Sequence, residues 1–154
     1  MEKLQFRISI DAPPEKVWDI LWNDASYREW TSVFSEGSKV ETDWKKGSKV
    51  LFLDGSGEGM VSRIEDLIPN EFMSFKHLGM VKDGVEDFSS DKVKEWTGSM
   101  ENYTLKNVNG KTELLMDMDV TGEYKDHLQT AFPKALNKVK ELAEKSKVAA
   151  TSNV

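Results

Sequence analysis

Three side chains that can orient a ligand or exchange a proton, His77, Glu101 and Tyr103, lie in two segments with the alternation of β-strands. Alternate strand residues point to the same side, so Met73 and Phe75 share a face with His77, and Tyr103 shares one with Glu101. A histidine and a carboxylate in an apolar setting can hold the polar group of a ligand or act as general acid and base. We therefore treat these residues as the candidate site.

Other kinds of site lack their sequence patterns. The chain has no cysteine and two histidines, so we expect no transition-metal site. The acidic segment 82–91 lacks the residue order of a calcium loop, and no nucleophile elbow, phosphate loop or dinucleotide motif is present. The glycines at 55–59 fit a hairpin turn. We predict no cofactor, no metal and no catalytic residue, and we favour a binding protein over an enzyme.

Charge and hydropathy limit the partners. The net charge is −6 and no cluster of Lys and Arg stands out, which argues against nucleic acid and anionic membranes. No apolar run reaches the ~20 residues of a membrane span, and the N-terminus does not have the layout of a signal peptide. We expect a cytoplasmic protein with a single domain over 1–148 and a flexible tail at 149–154.

The elements that must position the site follow from periodicity. Residues 4–10 alternate as a strand, and two short helices follow, through Val17–Trp22 and through Tyr27 and Trp30. The further predicted strands are Val40–Trp44, Lys49–Leu53, Met60–Ile68, Phe72–Leu78, Lys92–Asn107 and Lys111–Val120. The polar segment Gly79–Asp91 is expected to be a long loop that serves as a mobile lid.

A long amphipathic helix is predicted over Glu123–Lys145, with an apolar stripe at a 3.6-residue period. Pro133 lies inside it and removes one backbone donor, so we expect a kink or two pieces near Gln129–Phe132. His127 falls on its polar side and should be solvated. Strands followed by a helix that covers them predict an α+β fold.

Several strings resemble the START-like superfamily, also called Bet v 1-like or SRPBCC. These are the strand and helix start at Ile8–Trp18, with its Ala-Pro and Val-Trp pairs, and the second helix at Tyr27–Trp30. Asp43–Ser48, Val61–Phe72 and the hairpin Glu101–Leu114 resemble the subfamily of the C-terminal domain of the activator of Hsp90 ATPase. The resemblance implies a helix-grip fold, in which a curved antiparallel sheet of about seven strands surrounds the C-terminal helix and leaves an internal cavity.

The resemblance also implies which residues face that cavity. The expected ligand-binding residues are Trp30, Phe34, Phe52, Met73, Phe75, His77, Glu101, Tyr103, Met116, Met118, Leu128 and Phe132. Alternatives stay open for each group. The aromatic and methionine side chains could fill a solid core, and His77 and Glu101 could be solvated, or paired with each other without a specific role.

Three functions are consistent with this pattern. The leading interpretation is a protein that binds an unidentified apolar, aromatic or amphipathic small molecule, which enters between the loop Gly79–Asp91 and the closing helix. The second is an enzyme of the polyketide cyclase, dehydratase or hydrolase type, which requires His77 and Glu101 to meet inside the cavity. The third, implied by the resemblance, is a module that contacts the Hsp90 chaperone. We expect a monomer or a weak dimer.

Overall fold

The chain folds in an α+β arrangement, in which most strands follow one another and a long helix comes last. The structure is a computed structural model that describes the backbone of residues 1–152 and the side chains of residues 1–145. Its strands are β1 (Glu2–Ile10), β2 (Lys39–Glu41), β3 (Lys49–Leu53), β4 (Gly59–Ile68), β5 (Phe72–Lys82), β6 (Val85–Asp87), β7 (Met100–Val108) and β8 (Lys111–Val120). Its helices are α1 (Pro14–Trp22), α2 (Asp24–Thr31), α3 (Asp91–Lys94) and α4 (Gly122–Ser152).

The strands form one antiparallel sheet in the order β1-β8-β7-β5-β4-β3-β2, with β6 paired to β5. The N-terminal strand closes one edge by pairing with the last strand, from Glu2 opposite Val120 to Ile10 opposite Thr112. The predicted fold is confirmed: an N-terminal strand, two short helices, an antiparallel sheet and a long C-terminal helix packed on it.

Two register shifts interrupt the ladder between β4 and β5, at Val61/Ser62 and at Ile64/Asp66. An extra residue in one strand bends it and increases the local twist. The bends occur in the middle of the sheet, beside the strand that carries His77. They also set which β4 side chain stands opposite His77, and that residue is Ser62.

The helix α4 buries one stripe against the sheet, as its periodicity predicts. The buried residues are Ala131, Phe132, Ala135, Leu136, Val139 and Ala143. The helix is a single element through Pro133, so it is not divided into two pieces. The Gln129 carbonyl loses its helical donor at this proline, but Gln129 is exposed and water can supply the missing bond.

Helices α1 and α2 place aromatic rings over the sheet. Pro14 occupies the first turn of α1, where its missing N–H costs nothing. The Asn23 side chain accepts a hydrogen bond from the backbone N–H of Ala25 at 3.1 Å and thereby begins α2. This pair of short helices buries Trp22 and Trp30.

The predicted loop Gly79–Asp91 is partly wrong. β5 continues to Lys82 and turns back into β6 through Asp83 and Gly84, which have φ values of 52° and 77°. An Asp-Gly pair with positive φ at both positions forms the two-residue turn that suits a hairpin. The polarity of the segment indicates exposure and not irregular backbone.

The first half of the predicted strand Lys92–Asn107 is also wrong. Residues 91–94 form the short helix α3, whose N-cap Ser90 accepts a hydrogen bond from the Val93 N–H at 3.3 Å. The strand β7 begins only at Met100. A serine cap followed by Asp in the first turn favours a helix over a strand at this point.

Two further predictions concern the second strand and the C-terminal tail. The strand predicted over Val40–Trp44 ends at Glu41, and Trp44 has a φ of 57°, which a strand does not accommodate. The tail predicted at 149–154 falls on residues whose side chains lie outside the described range. That tail, and the single domain over 1–148, stay predictions.

Candidate functional site

A cavity of about 500 Å³ lies between the sheet, the short helices α1 and α2, and the first turns of α4. Nine of the twelve predicted ligand-binding residues line it: Trp30, Phe34, Phe52, His77, Glu101, Tyr103, Met118, Leu128 and Phe132. Tyr103 and Phe132 line the same space, and the Phe132 ring stacks on Phe6 at 5.5 Å and contacts the tilted ring of Phe34 at 4.8 Å, measured between ring centroids. The interior on this side of the sheet is therefore not filled by side chains.

The other three predicted residues, Met73, Phe75 and Met116, are at most 1% exposed and belong to the core without lining the cavity. Trp22 explains the difference for Phe75. Its ring contacts those of Phe75 and Tyr103 at 5.4 and 5.0 Å and covers this part of the sheet. Strand alternation shows that Phe75 shares a face with His77, but it does not show which ring from a helix lies over that face.

Four side chains form a polar network at the wall of the cavity. Ser62 Oγ lies 2.6 Å from His77 Nδ1, and His77 Nε2 lies 3.0 Å from Glu101 Oε1. The Tyr103 hydroxyl donates to Glu101 Oε2 at 2.5 Å. Ser62 is fully buried and does not line the cavity, whereas the Glu101 side chain is 13% exposed and does. Glu101 lines the cavity together with His77 and Tyr103, and it is the carboxylate of the network, with acceptor capacity beyond these two contacts.

The direction of these hydrogen bonds follows from Ser62. Among the described residues its hydroxyl has one hydrogen-bond partner, His77 Nδ1, so the buried hydroxyl proton points there. With Nδ1 as acceptor, the neutral imidazole carries its proton on Nε2 and donates it to Glu101. Glu101 then accepts from both His77 and Tyr103, and a ligand that meets it must bring a donor or a positive charge.

Burial raises the pKa of both tyrosines of the site. Desolvation raises the pKa of Tyr103 well above its usual value, and the negative charge and hydrogen bond of Glu101 raise it further. Desolvation also raises the pKa of Tyr27, and the charge of Glu101 adds to the shift. Both phenols are therefore protonated at neutral pH, and Tyr103 acts as a donor.

Sequence reasoning missed several residues that line the cavity or support the polar network. Ser62, Trp22 and Tyr27 are among them. Ser62 stands opposite His77 only because of the register shift beside it, and the sequence carries no clear signal for that shift. Tyr27 and Trp22 could have been found from their helices, since both were assigned to short amphipathic segments.

The remaining predicted features lie elsewhere. His127 is exposed on α4, as predicted. No helix in the part of the chain that the structure describes is long and apolar enough to cross a membrane. Across those same residues, no group of three or more His, Asp or Glu side chains is arranged to hold a metal ion.

The sheet, the gripping helix and the cavity between them define a helix-grip domain of the SRPBCC, or Bet v 1-like, superfamily. The chain belongs to the family of activator of Hsp90 ATPase homolog 1-like proteins, whose family model matches residues 11–144. No curated protein matches the chain by sequence.

Solved structures share this fold at low identity. The Aha1 dimer from Colwellia psychrerythraea is 21% identical with a TM-score of 0.71, over 94% of this chain and 97% of that one. CalU16 from Micromonospora echinospora is 15% identical with a TM-score of 0.64, over 91% and 73%. DynU16, described as a putative protein in the dynemicin biosynthetic locus, is 14% identical with a TM-score of 0.69, over 94% and 48%. Likeness at these identities concerns the fold alone.

Proposed function

We propose that the protein binds an apolar or amphipathic small molecule in the cavity, with the polar network orienting its head group. The observation that carries this proposal is the volume of about 500 Å³ behind mainly apolar walls. Small-molecule sites in proteins span roughly 300–1,000 Å³ and combine apolar walls with a few polar groups. The residues proposed to bind are the nine predicted residues that line the cavity, with Met73, Phe75 and Met116 supporting them from the core.

Two buried polar atoms do not contribute to this proposal. Trp22 Nε1 and Thr121 Oγ1 have no hydrogen-bond partner among the described residues, but both atoms are fully buried, so a molecule in the cavity does not touch them in this conformation. Most of the affinity would come from apolar burial, at about 25 cal/mol per Å² removed from water.

A neutral fluorescent probe, phenylnaphthylamine, tests the proposal by titration with emission as the readout. We expect saturable binding that Leu128→Trp weakens, because the larger ring fills space that Leu128 borders. Leu142→Trp is the matched control, since Leu142 lies on the same helix and does not line the cavity. Absence of saturable binding, or equal weakening by both substitutions, would refute the proposal.

Native mass spectrometry complements the titration. Protein purified from its own host should carry a mass in excess of the polypeptide if the ligand survives isolation. Leu128→Trp prepared in the same way should carry less of it. The mass would also identify the ligand.

An enzymatic function is the second candidate, because His77 and Glu101 meet directly at 3.0 Å in the cavity wall. Ser62 is fully buried behind His77, so it cannot attack a substrate in the cavity. The available chemistry is proton transfer at Glu101. Incubation of the protein with the ligand retained from the host would separate the candidates, because only an enzyme converts that ligand into a new mass.

Regulation of a chaperone is the third candidate, and the family description supports it. Addition of the protein to Hsp90 should then raise the ATPase rate, and an unchanged rate would exclude this function. The Colwellia relative is described as a dimer, so light scattering should also be used to determine whether this chain is a monomer or a weak dimer.

A further inference from the structure

The charge of the cavity lining has one sign. The ionisable acidic residues that line it are Asp54, Glu58, Glu101 and Asp119, and no Lys or Arg lines it among the described residues. Lys82 and Lys92 lie outside the lining, where they pair with Glu58 at 3.9 Å and with Glu123 at 3.1 Å. The cavity therefore favours a positively charged ligand and disfavours a negatively charged one.

The four acidic residues do not have equal roles. Asp54 accepts hydrogen bonds from its own turn, at Ser56 and Glu58, and Asp119 accepts one from the Met100 N–H at 3.0 Å. Glu101 has a side chain only 13% exposed, and its polar contacts among the described residues are His77 and Tyr103, with no Lys or Arg. A buried carboxylate without a counter-ion is costly unless hydrogen bonds or a ligand compensate it.

Aromatic rings surround the space that Glu101 faces. The rings of Trp30, Phe34, Phe52, Trp96 and Phe132 line the cavity. The face of an aromatic ring carries partial negative charge, so it attracts an ammonium group as well as apolar groups. Such walls can hold both the charged end and the apolar body of one molecule.

Two unpaired hydroxyls provide an independent observation. Tyr27 and Ser99 line the cavity, are 6% and 4% exposed, and make no side-chain hydrogen bond to the described residues. Neither hydroxyl is among the fully buried unpaired atoms, so both are accessible, and a ligand can supply the partner that each lacks. Glu101 is close enough for its charge to raise the pKa of Tyr27, so the free hydroxyl and the carboxylate belong to one region.

We propose that the ligand is a cation, an apolar or aromatic molecule with a protonated amine, whose ammonium group contacts Glu101 while its body lies among the rings. The inference rests on the proposed binding function and adds the chemical class of the ligand. An ammonium group has three donors and no acceptor, which matches the oxygens of Glu101, Tyr27 and Ser99. Fatty acids and other anionic ligands are disfavoured by the same charges.

A series of matched competitors tests this class. Phenylnaphthylamine is bound first, and naphthylethylamine, naphthylethanol and naphthylacetate are then compared as displacing agents. They share one ring system and differ in the charge of the end group. We expect the amine to displace the probe at a concentration about tenfold or more below that of the acetate, with the alcohol between them.

Charge variants test whether Glu101 causes the preference for the amine. Glu101→Gln keeps the shape and removes the charge, so it should abolish most of the preference for the amine over the acetate. Asp126→Asn removes the same charge from an exposed position on α4 outside the cavity, and it should keep the preference. The titrations are run at high salt, because salt screens the general attraction of amines to a chain of net charge −6.

The outcomes distinguish the two proposals. No binding of the neutral probe refutes the binding function itself. Probe binding with equal displacement by the amine and the acetate refutes the cation inference alone, and this comparison in the unmodified protein decides the question even if Glu101→Gln fails to fold. An equal loss of preference in Asp126→Asn assigns the effect to net charge and also refutes it.

Discussion

His77 Nε2 lies 3.0 Å from Glu101 Oε1, although the two residues are 24 positions apart and stand on different strands. The ladder pairs Glu101 with Phe75, and the His77 N–H donates to the Ser99 carbonyl, so His77 and Glu101 are diagonal neighbours on one face. Side chains as long as these can reach each other across a diagonal. Ser62 and Tyr103 complete the network, so the orientation of each member depends on the others.

Tyr103→Phe should destabilise the protein by about 1–3 kcal/mol, because it leaves one Glu101 oxygen without its buried donor. Tyr27→Phe is the matched control. Tyr27 is also buried, but its hydroxyl makes no hydrogen bond to the described residues, so its removal should cost close to nothing. Urea unfolding of the two variants gives the comparison. Equal costs would show that the Tyr103 hydrogen bond does not stabilise the fold.

Ser62→Ala should cost about 1–3 kcal/mol, since it removes the donor to His77 Nδ1 in a fully buried position. It should also change the imidazole tautomer, which nitrogen chemical shifts report. Ser9→Ala, at an exposed position of β1, should change neither quantity. An unaltered tautomer in Ser62→Ala would contradict the hydrogen-bond direction derived for the network.

The free energy of unfolding should fall above pH 10. An unfolded tyrosine loses its proton near its usual pKa of 10.0, whereas burial keeps Tyr27 and Tyr103 protonated in the folded state. The folded state then binds more protons, so stability is fully present below that pH and is lost above it, by about 1.4 kcal/mol per pH unit for each tyrosine. Urea unfolding across this pH range measures the slope.

The double variant with Phe at both positions is the control for this slope. It should lose most of the pH dependence above the tyrosine pKa, because no buried phenol remains. A slope that is unchanged in the double variant would assign the effect to other groups.

Gly59→Ala should destabilise the protein by about 3 kcal/mol or more. A Cβ at this position would lie 1.8 Å from the Phe52 carbonyl oxygen on the neighbouring strand, so the sheet beside the cavity would have to shift. Gly122→Ala, at the start of α4, meets no atom within 4 Å and should be neutral or stabilise by about 0.4–1 kcal/mol. Thermal unfolding of both variants is the measurement, and a tolerated Gly59→Ala would contradict the close approach.

Much of the fold follows from local patterns. Alternation in β1 and β8 places Leu4, Leu114 and Met116 in the core, as the structure confirms. The stripe on α4 identifies Phe132 and Leu136 as buried for the same reason. These predictions succeed because the burial of one face of a regular element depends on its own periodicity.

Predictions fail where the pattern is short or interrupted. The three-residue strand β6 and the four-residue helix α3 have too few residues to show a period. In both places the decisive signals are single residues, the Asp83-Gly84 turn and the Ser90 cap. Composition alone therefore suggests a loop for β6 and a strand for α3.

The sequence by itself determined the class of fold and which residues share a face along the long strands and the helix, and its resemblance to the family implied that His77, Glu101 and Tyr103 lie on the inner side. The tertiary structure decided that His77 and Glu101 touch, that Ser62 stands behind them and that Trp22 covers Phe75. The physical reason is the sequence distance over which each signal acts. A period is a property of consecutive residues, whereas contacts between strands depend on register shifts and on how helices pack over the sheet.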